Sequence, residues 1–357
     1  MDVLSRAIGK GYRGLDRFRG MLDNRSIEVL MEEELERHIK QGKKKILYIG
    51  TRYDYEKKNM GLSFEHYNFF YTLLNMDLSL IYFVSDRLKQ RFGLEKMSKI
   101  LREAVYYYQP DVLFYCHYHD WISHDVIKEI SEELPTKTVI WLSDDHVNYE
   151  SERAVWELFN LVVTTEKNGY ERRIREGFNN VFLSQWGYNH FIYRKLNLPK
   201  KYDVCFVGRC YGERENFVET LRKKGINVAA FGQGWREGGR VTQSDLIKIF
   251  NQSKIILNIS FAWTDERVFC VKGRDFESVG CGSLLLTKDT REIAEYLTSG
   301  KEIVTYQDMD DATEKIKYYL ANEGEREEIA QRGYERVLRE HTYEKRFSDI
   351  FEYALKM

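Results

Sequence analysis

The sequence predicts an α/β protein built from two doubly wound parallel sheets in tandem. Three observations carry that prediction. From Lys44 onward, short apolar runs of strand length alternate with helix-length amphipathic segments. The alternation stops at a polar connection, residues 189–202 with Pro199, and then restarts at DVCFVG. Finally, 357 residues are enough for two domains of ordinary size, each with its own core and with a cleft between them.

Taken in order, residues 1–40 place apolar side chains at Leu4, Ile8, Leu15, Phe18 and Leu22, then at Ile27, Leu30, Leu35 and Ile39, with Lys10, Arg13, Arg17 and Arg19 interspersed. This spacing predicts an N-terminal helical extension, read either as docked on the body or as a basic face in peripheral contact with a membrane. KKILYIGT is a first strand, SFEHYNFFYTLLNM a helix and LSLIYFV a second strand. Further strands are expected at 111–116, 138–142 and 161–165, with helices at 95–108 and 122–133. Gly50 and then Gly61-Leu62-Ser63 follow the first strand where a dinucleotide-binding protein would carry GxGxxG, which disfavours a dehydrogenase. A first Rossmann-like domain is assigned to 41–190 and a second to 191–335. The second has strands in DVCFVG, VAAFG, KIILNIS, SLLLT and EIVTY, followed by helices at 311–320, 325–339 and 343–356. Residues 336–357 are read as a terminal helix packing back on the first domain.

Composition narrows the class. Lys and Arg total 55 against 56 Asp and Glu, so no basic excess points to nucleic acid. Cys116, Cys205, Cys210, Cys270 and Cys281 form no CxxC pair and sit in or beside apolar runs, as reduced thiols of a cytoplasmic protein do. No segment has signal-peptide character, and none approaches the roughly 18 apolar residues that span a bilayer. The expected location is cytoplasmic, with any membrane contact at the inner face through residues 1–40.

The chemistry concentrates in VKGRDFESVGCGSLLLT, residues 271–287. Lys272 and Arg274 lie where a loop enters a short helix, whose first turn offers unpaired N–H groups and the positive dipole end, so a diphosphate there meets donors and cations together. Glu277, in the same turn, repels phosphate but accepts hydrogen bonds from sugar hydroxyls, and a ribose beside a diphosphate supplies two. The combination reads as a nucleotide-sugar site. Read separately, Glu277 complements the helix dipole and Gly280 and Gly282 end the helix.

The strings YDVCFVGRCYGERENFVETL, FGQGW, VKGRDFESVGCGSLLLT, GKEIVTY and REHTYEKRF, with PDVLFYCHYHD, VIWLSDDH and LVVTTEKNGY in the first half, resemble the spore maturation CgeB-like glycosyltransferases. These look related to retaining glycosyltransferase family 4, and the likeness covers roughly residues 45–350. It implies the GT-B fold, two Rossmann-like domains with parallel sheets facing across a cleft. The second binds the nucleotide-diphosphate sugar and the first the acceptor. By the same resemblance Arg209 and Arg214 match the basic pair that stabilises the leaving diphosphate, the second member being commonly lysine. Glu277 matches the ribose-binding member of a glutamate pair. The first glutamate of that pair falls at Phe269, so this chain lacks it, and Asp265, Glu266 or Lys272 stands nearest to replace it. Gly232 and Gly234 match glycines that let backbone approach the nucleotide, and Gly61 resembles the first-domain glycine facing the donor phosphate.

In the first domain His117, His119 and Asp120 follow one strand, and Asp144, Asp145 and His146 another, at the ends where open α/β sheets place ligands. His119 and Asp144 are the preferred catalytic or positioning candidates. Helix capping by Asp144 or Asp145 is the structural alternative. No metal is expected, because Asp144, Asp145 and His146 are adjacent and no separated His or Cys ligands stand out, and because GT-B enzymes typically need none. Among the aromatics, Trp186, Trp235 and Trp263 are candidate platforms for a sugar, with Trp235 favoured by its glycine-rich loop. The expected activity is transfer of a sugar from a UDP- or GDP-type donor to a cell-surface glycan, lipid-linked saccharide or protein, with retention. The alternatives are a nucleotide-sugar epimerase or hydrolase of the same fold, or a non-catalytic nucleotide-sugar or glycan-binding protein.

Overall fold

A computed structural model describes residues 35–38, 43–118, 121–236, 238–261 and 268–357. The chain divides into two compact units. One is Met1–Ser184 with Phe347–Met357, and the other is Gln185–Arg346.

In the first unit, β1 (Glu36–His38) flanks a parallel sheet of β2 (Lys45–Gly50), β3 (Ser79–Val84), β4 (Val112–Cys116), β5 (Lys137–Leu142), β6 (Leu161–Thr164) and β7 (Val181–Leu183). The order is β1-β3-β2-β4-β5-β6-β7, with only β1 antiparallel. Each strand is apolar on both faces, as a sheet covered on both sides requires. Leu47, Ile49, Leu113 and Tyr115 enter one core. Tyr48, Tyr82 and Phe114 point the other way into a stack of rings, with Tyr48 5.4 Å from Tyr82 and 5.8 Å from Phe114. The final helix, Tyr343–Lys356, brings Phe347 and Phe351 to this second face, where Phe347 lies 5.1 Å from Phe69 and 5.4 Å from Phe114. Both rings are buried, a contribution on the order of 3–6 kcal/mol.

The expected strands of this half all form, and two details differ. Helix was expected through residue 40, yet Glu36–His38 is extended and pairs with β3 in the register Glu36↔Tyr82. The open backbone edge of β3 decides that segment, because an unpaired strand edge is satisfied only by another strand. The remainder of that extension, residues 1–34, 39 and 40, lies outside the described residues. The helix expected at 95–108 starts ten residues earlier, at Ser85, and absorbs a break at Gly93, where φ is +77°.

The second unit is a parallel sheet of β8 (Tyr202–Val207), β9 (Val228–Phe231), β10 (Ser253–Leu257), β11 (Leu284–Lys288) and β12 (Val304–Tyr306), ordered β12-β11-β10-β8-β9. Its five strands fall where the apolar runs place them. Val204 and Phe206 face one core, Cys205 and Val207 the other. The order reverses at β8, so the crevice-forming point of this sheet lies at the carboxyl end of β8.

Candidate functional site

At that end the backbone is drawn into a tight double turn. β8 and β9 are parallel neighbours, and their hydrogen bonding continues past both strands. The Gly208 N–H donates to Phe231 O at 2.8 Å, and the Cys210 N–H donates to Gln233 O at 2.8 Å. Trp235 Nε1 donates to Gly208 O at 2.8 Å. A Cβ on Gly232 would collide with that same Gly208 carbonyl, and Gly232 and Gly234 hold φ of +128° and +92°, where side chains are rarely accommodated. These glycines are therefore required by the turn itself. Trp235 is half-buried against Phe206, ring centroids 5.6 Å apart, so its packing partly withdraws the platform expected of it.

Two arginines converge on the same strand end. Arg214, first residue of the helix Arg214–Lys223, is 2% exposed; it donates through Nε to Ile259 O and through Nη1 to Arg209 O, each at 3.0 Å. Its guanidinium lies 4.0 Å from the Tyr211 ring. Arg274, second residue of the helix Gly273–Gly280, donates through Nη1 to Val207 O, while its Nε is buried without a hydrogen-bond partner among the described residues. Burial, then the charge of Arg274, pushes the Arg214 pKa down to about 10, and burial lowers that of Arg274 as well. Among the described residues neither guanidinium forms an ion pair with a carboxylate. The two guanidiniums are held by carbonyls and ring faces at the carboxyl end of β8, with the carboxylates of Asp275 and Glu277 acting on Arg274 without hydrogen-bonding it. Arg209 itself is exposed.

The helix Gly273–Gly280 is fixed in place by its own first turn. The Lys272 N–H donates to Asp275 Oδ2 at 2.8 Å, and the Asp275 N–H donates to Lys272 O at 2.9 Å. Asp275, 1% exposed, also accepts from Asn258 Nδ2 at 2.5 Å, tying the helix to the end of β10. Glu277 is buried and accepts from the Tyr193 hydroxyl at 2.8 Å. Arg209, Arg214, Gly232, Gly234, Lys272, Arg274 and Glu277 thus belong to one unit, and most of them cluster around the carboxyl ends of β8 and β9 and the start of this helix.

The first-unit candidates sit differently. Gly61, at φ +83°, is in an exposed loop where a Cβ would meet nothing within 4 Å. Asp144 precedes the turn Asp145–Asn148 and makes no side-chain cap. Asp145 points inward and is paired to the buried Arg173 through both carboxylate oxygens, at 2.6 and 2.9 Å. His117 is buried at the end of β4, its Nε2 3.4 Å from Glu152 Oε1. His119, Asp120, Trp263, Asp265 and Glu266 lie outside the described residues.

Residues 213–352 match the family described as glycosyl transferase-like. The chain is 20% identical to spore protein CgeB of Bacillus subtilis (strain 168) over 251 residues, 63% of this chain and 76% of that protein. Among solved structures it is similar to a glycosyltransferase from Rickettsia africae ESF-5, with a TM-score of 0.60 at 13% identity over 88% of this chain and 99% of the other. It is also similar to sucrose-phosphate synthase from Thermosynechococcus elongatus, with 0.58 at 10% over 87% and 98%. A third likeness is to Anabaena Alr3699/HepE in complex with UDP and glucose, with 0.58 at 11% over 87% and 99%. The chain has the GT-B fold of these structures, and its segment 213–352 carries the match to the glycosyl transferase-like family.

Several polar groups of this fold escape a reading of the sequence. Glu166 lies beside His146 although 20 residues separate them, because β5 and β6 are neighbours in register Leu142↔Thr164 and their following residues emerge together. Applying the strand-end rule to LVVTTEK, as it was applied to VIWLSDDH, would have found it. Tyr193 and Arg173 carry no comparable local signal, since only tertiary packing brings them to Glu277 and Asp145. Glu65 has its carboxyl pKa raised by burial, and with Asp54 and Glu56 it reinforces the burial that pushes Tyr118 up to about 12.

Proposed function

We propose that this glycosyltransferase takes a hexosyl group from a UDP- or GDP-sugar and delivers it, with retention, to a cell-surface glycan, lipid-linked saccharide or protein. The observation that carries the donor assignment is the pair of guanidiniums, buried Arg214 and partly buried Arg274, neither in an ion pair with a carboxylate among the described residues. A diphosphate supplies the missing counter-charge, and charge developing on its β-phosphate as the sugar leaves is met by groups already in place. Exposed Arg209 and half-buried Lys272 add cations, and the positive end of the helix Gly273–Gly280 adds backbone donors. Tyr193 fixes the rotamer of Glu277, whose carboxylate is assigned to the ribose. Gly232 and Gly234 allow backbone rather than side chain to approach the nucleotide. Asp144 and His119 are assigned to the acceptor side. Diphosphate departure in this scheme is driven by side-chain cations without a metal. The UDP and glucose held by the Anabaena protein support a nucleotide-sugar donor for this fold.

Calorimetric titration with UDP, GDP, CDP and dTDP tests the assignment. One nucleotide is expected to bind at roughly 10–100 μM, about −7 to −5.5 kcal/mol. Arg209→Ala and Glu277→Ala should weaken it, and Arg274→Met should weaken it by about a hundredfold. Failure of all four nucleotides to bind folded protein would remove the donor site. Consumption of the matching nucleotide sugar without transfer to any added acceptor would point to hydrolysis or epimerisation.

A further inference from the structure

The first unit holds a second charged cluster, of opposite sign. Ligand-type atoms of Asp144, His146 and Glu166 all lie within 4.8 Å of one another. The neighbours β5 and β6 bring the three together. Their register puts the segment after Leu142 beside the segment after Thr164. Asp145 is turned into the core by Arg173, and Thr164 donates its hydroxyl to the same carboxylate at 2.5 Å, so the turn is anchored from within. Glu166 faces His146 through both oxygens: the His146 N–H donates to Oε2 at 2.8 Å, and the ring Nδ1 lies 2.6 Å from Oε1.

Charge balance makes the cluster unusual. Asp145 is neutralised by Arg173, but Asp144 has no side-chain hydrogen bond or ion pair among the described residues. Two carboxylates therefore stand close together with one imidazole between them. Like charges at this separation repel unless a proton or a cation intervenes.

We propose that Asp144, His146 and Glu166 form a binding site for a divalent cation of the Mn²⁺ or Zn²⁺ type. One imidazole nitrogen and two carboxylate oxygens suit these ions, and the lack of a thiolate disfavours softer ones. Bonds of about 2.0–2.2 Å place ligand atoms roughly 3–4 Å apart, so the set closes around an ion with shifts of about 1 Å or less. The ion supplies the counter-charge that Asp144 lacks. Three protein ligands leave coordination positions to water or to an oxygen-rich ligand such as a sugar.

The test uses the full chain, free of any affinity tag, stripped with EDTA and dialysed. Mn²⁺ is titrated by calorimetry and by loss of its free-ion electron paramagnetic resonance signal, and Zn²⁺ by competition. One equivalent should bind per chain, Asp144→Asn should weaken binding at least tenfold, and His146→Gln and Glu166→Gln should weaken it further. Asp144→Asn removes no described side-chain contact, so it keeps the test valid if either of the other variants unfolds. No binding of either ion up to about 1 mM, weaker than about −4 kcal/mol, overturns the proposal. So does binding that Asp144→Asn leaves unchanged. Nucleotide titration in EDTA reads the donor site separately, so the two assignments fail independently.

Discussion

The two units treat buried charge in opposite ways. In the first, Asp145 and Arg173 satisfy one another through two short hydrogen bonds, with Tyr149 and Trp156 over the guanidinium at 4.7 and 4.5 Å. In the second, Arg214 is equally buried and Arg274 partly so, and both rest on backbone carbonyls and rings. A guanidinium held in a two-bond pair with a carboxylate has its charge balanced on the spot, whereas one held by carbonyls keeps more of its field. Under the proposed donor assignment, charge balance more than burial separates the two kinds of arginine.

The comparison breaks most sharply on stability. Asp145→Ala strands Arg173 without its partner and should cost about 3–5 kcal/mol, read as a drop in the denaturation midpoint of the first unit. Arg274→Met removes a charge that forms no ion pair with a carboxylate among the described residues, and should change the stability of the second unit by less than about 1 kcal/mol, while greatly weakening nucleotide binding. Equal losses from the two substitutions would show that Arg274 is as structural as Arg173.

A smaller effect sharpens it through pH. Each unit contains a buried histidine held neutral: His66, beside Tyr82, and His341, whose Nε2 contacts Tyr296 O while Nδ1 accepts from Arg346. Burial is the main cause in both, and each pKa is lowered to about 4 from 6.5. Because the folded values lie below the unfolded one, protons bind the unfolded chain first. The histidine contribution is intact above pH 6.5, declines as pH falls toward 4, and the loss levels off below that. It is on the order of 3 kcal/mol per histidine. Denaturant titrations from pH 7 to 4 should show the slope, and His66→Gln should flatten it in the first unit alone. A slope unchanged by both His66→Gln and His341→Gln would assign the acid sensitivity to carboxylates.

The sheets were legible because each strand is an apolar run bounded by a turn signal, and the clustering of the proposed donor residues because the strand end FVGR, glycines and a helix start carry them in short stretches: Val207, Gly208 and Arg209 are contiguous, and one glycine separates Lys272 from Arg274. What stayed hidden depends on pairing across distance. Nothing near Asp145 announces Arg173, and the nearness of Glu166 to Asp144 follows only once the strand-end rule is applied to both neighbouring strands. β1 was hidden for the opposite reason. Its local pattern favoured helix, and only the open edge of β3 overrode it.

The smallest expected effect concerns the two glycine-dependent loops. Gly232 and Gly61 share positive φ, +128° and +83°, but differ in surroundings. Alanine at Gly232 meets the Gly208 carbonyl, so strain and collision combine at the end of β8. Alanine at Gly61 meets open space, and only the backbone conformation resists it. That resistance is about 1–3 kcal/mol for a rigid loop and falls to the low end where an exposed segment relaxes. Thermal unfolding of Gly61→Ala should therefore show a loss near 1 kcal/mol with the nucleotide affinity of the second unit unchanged. If Gly61→Ala weakens nucleotide binding at full stability, the glycine meets the donor directly. The first unit's loop would then belong to the donor site despite carrying none of the cations that mark it in the second.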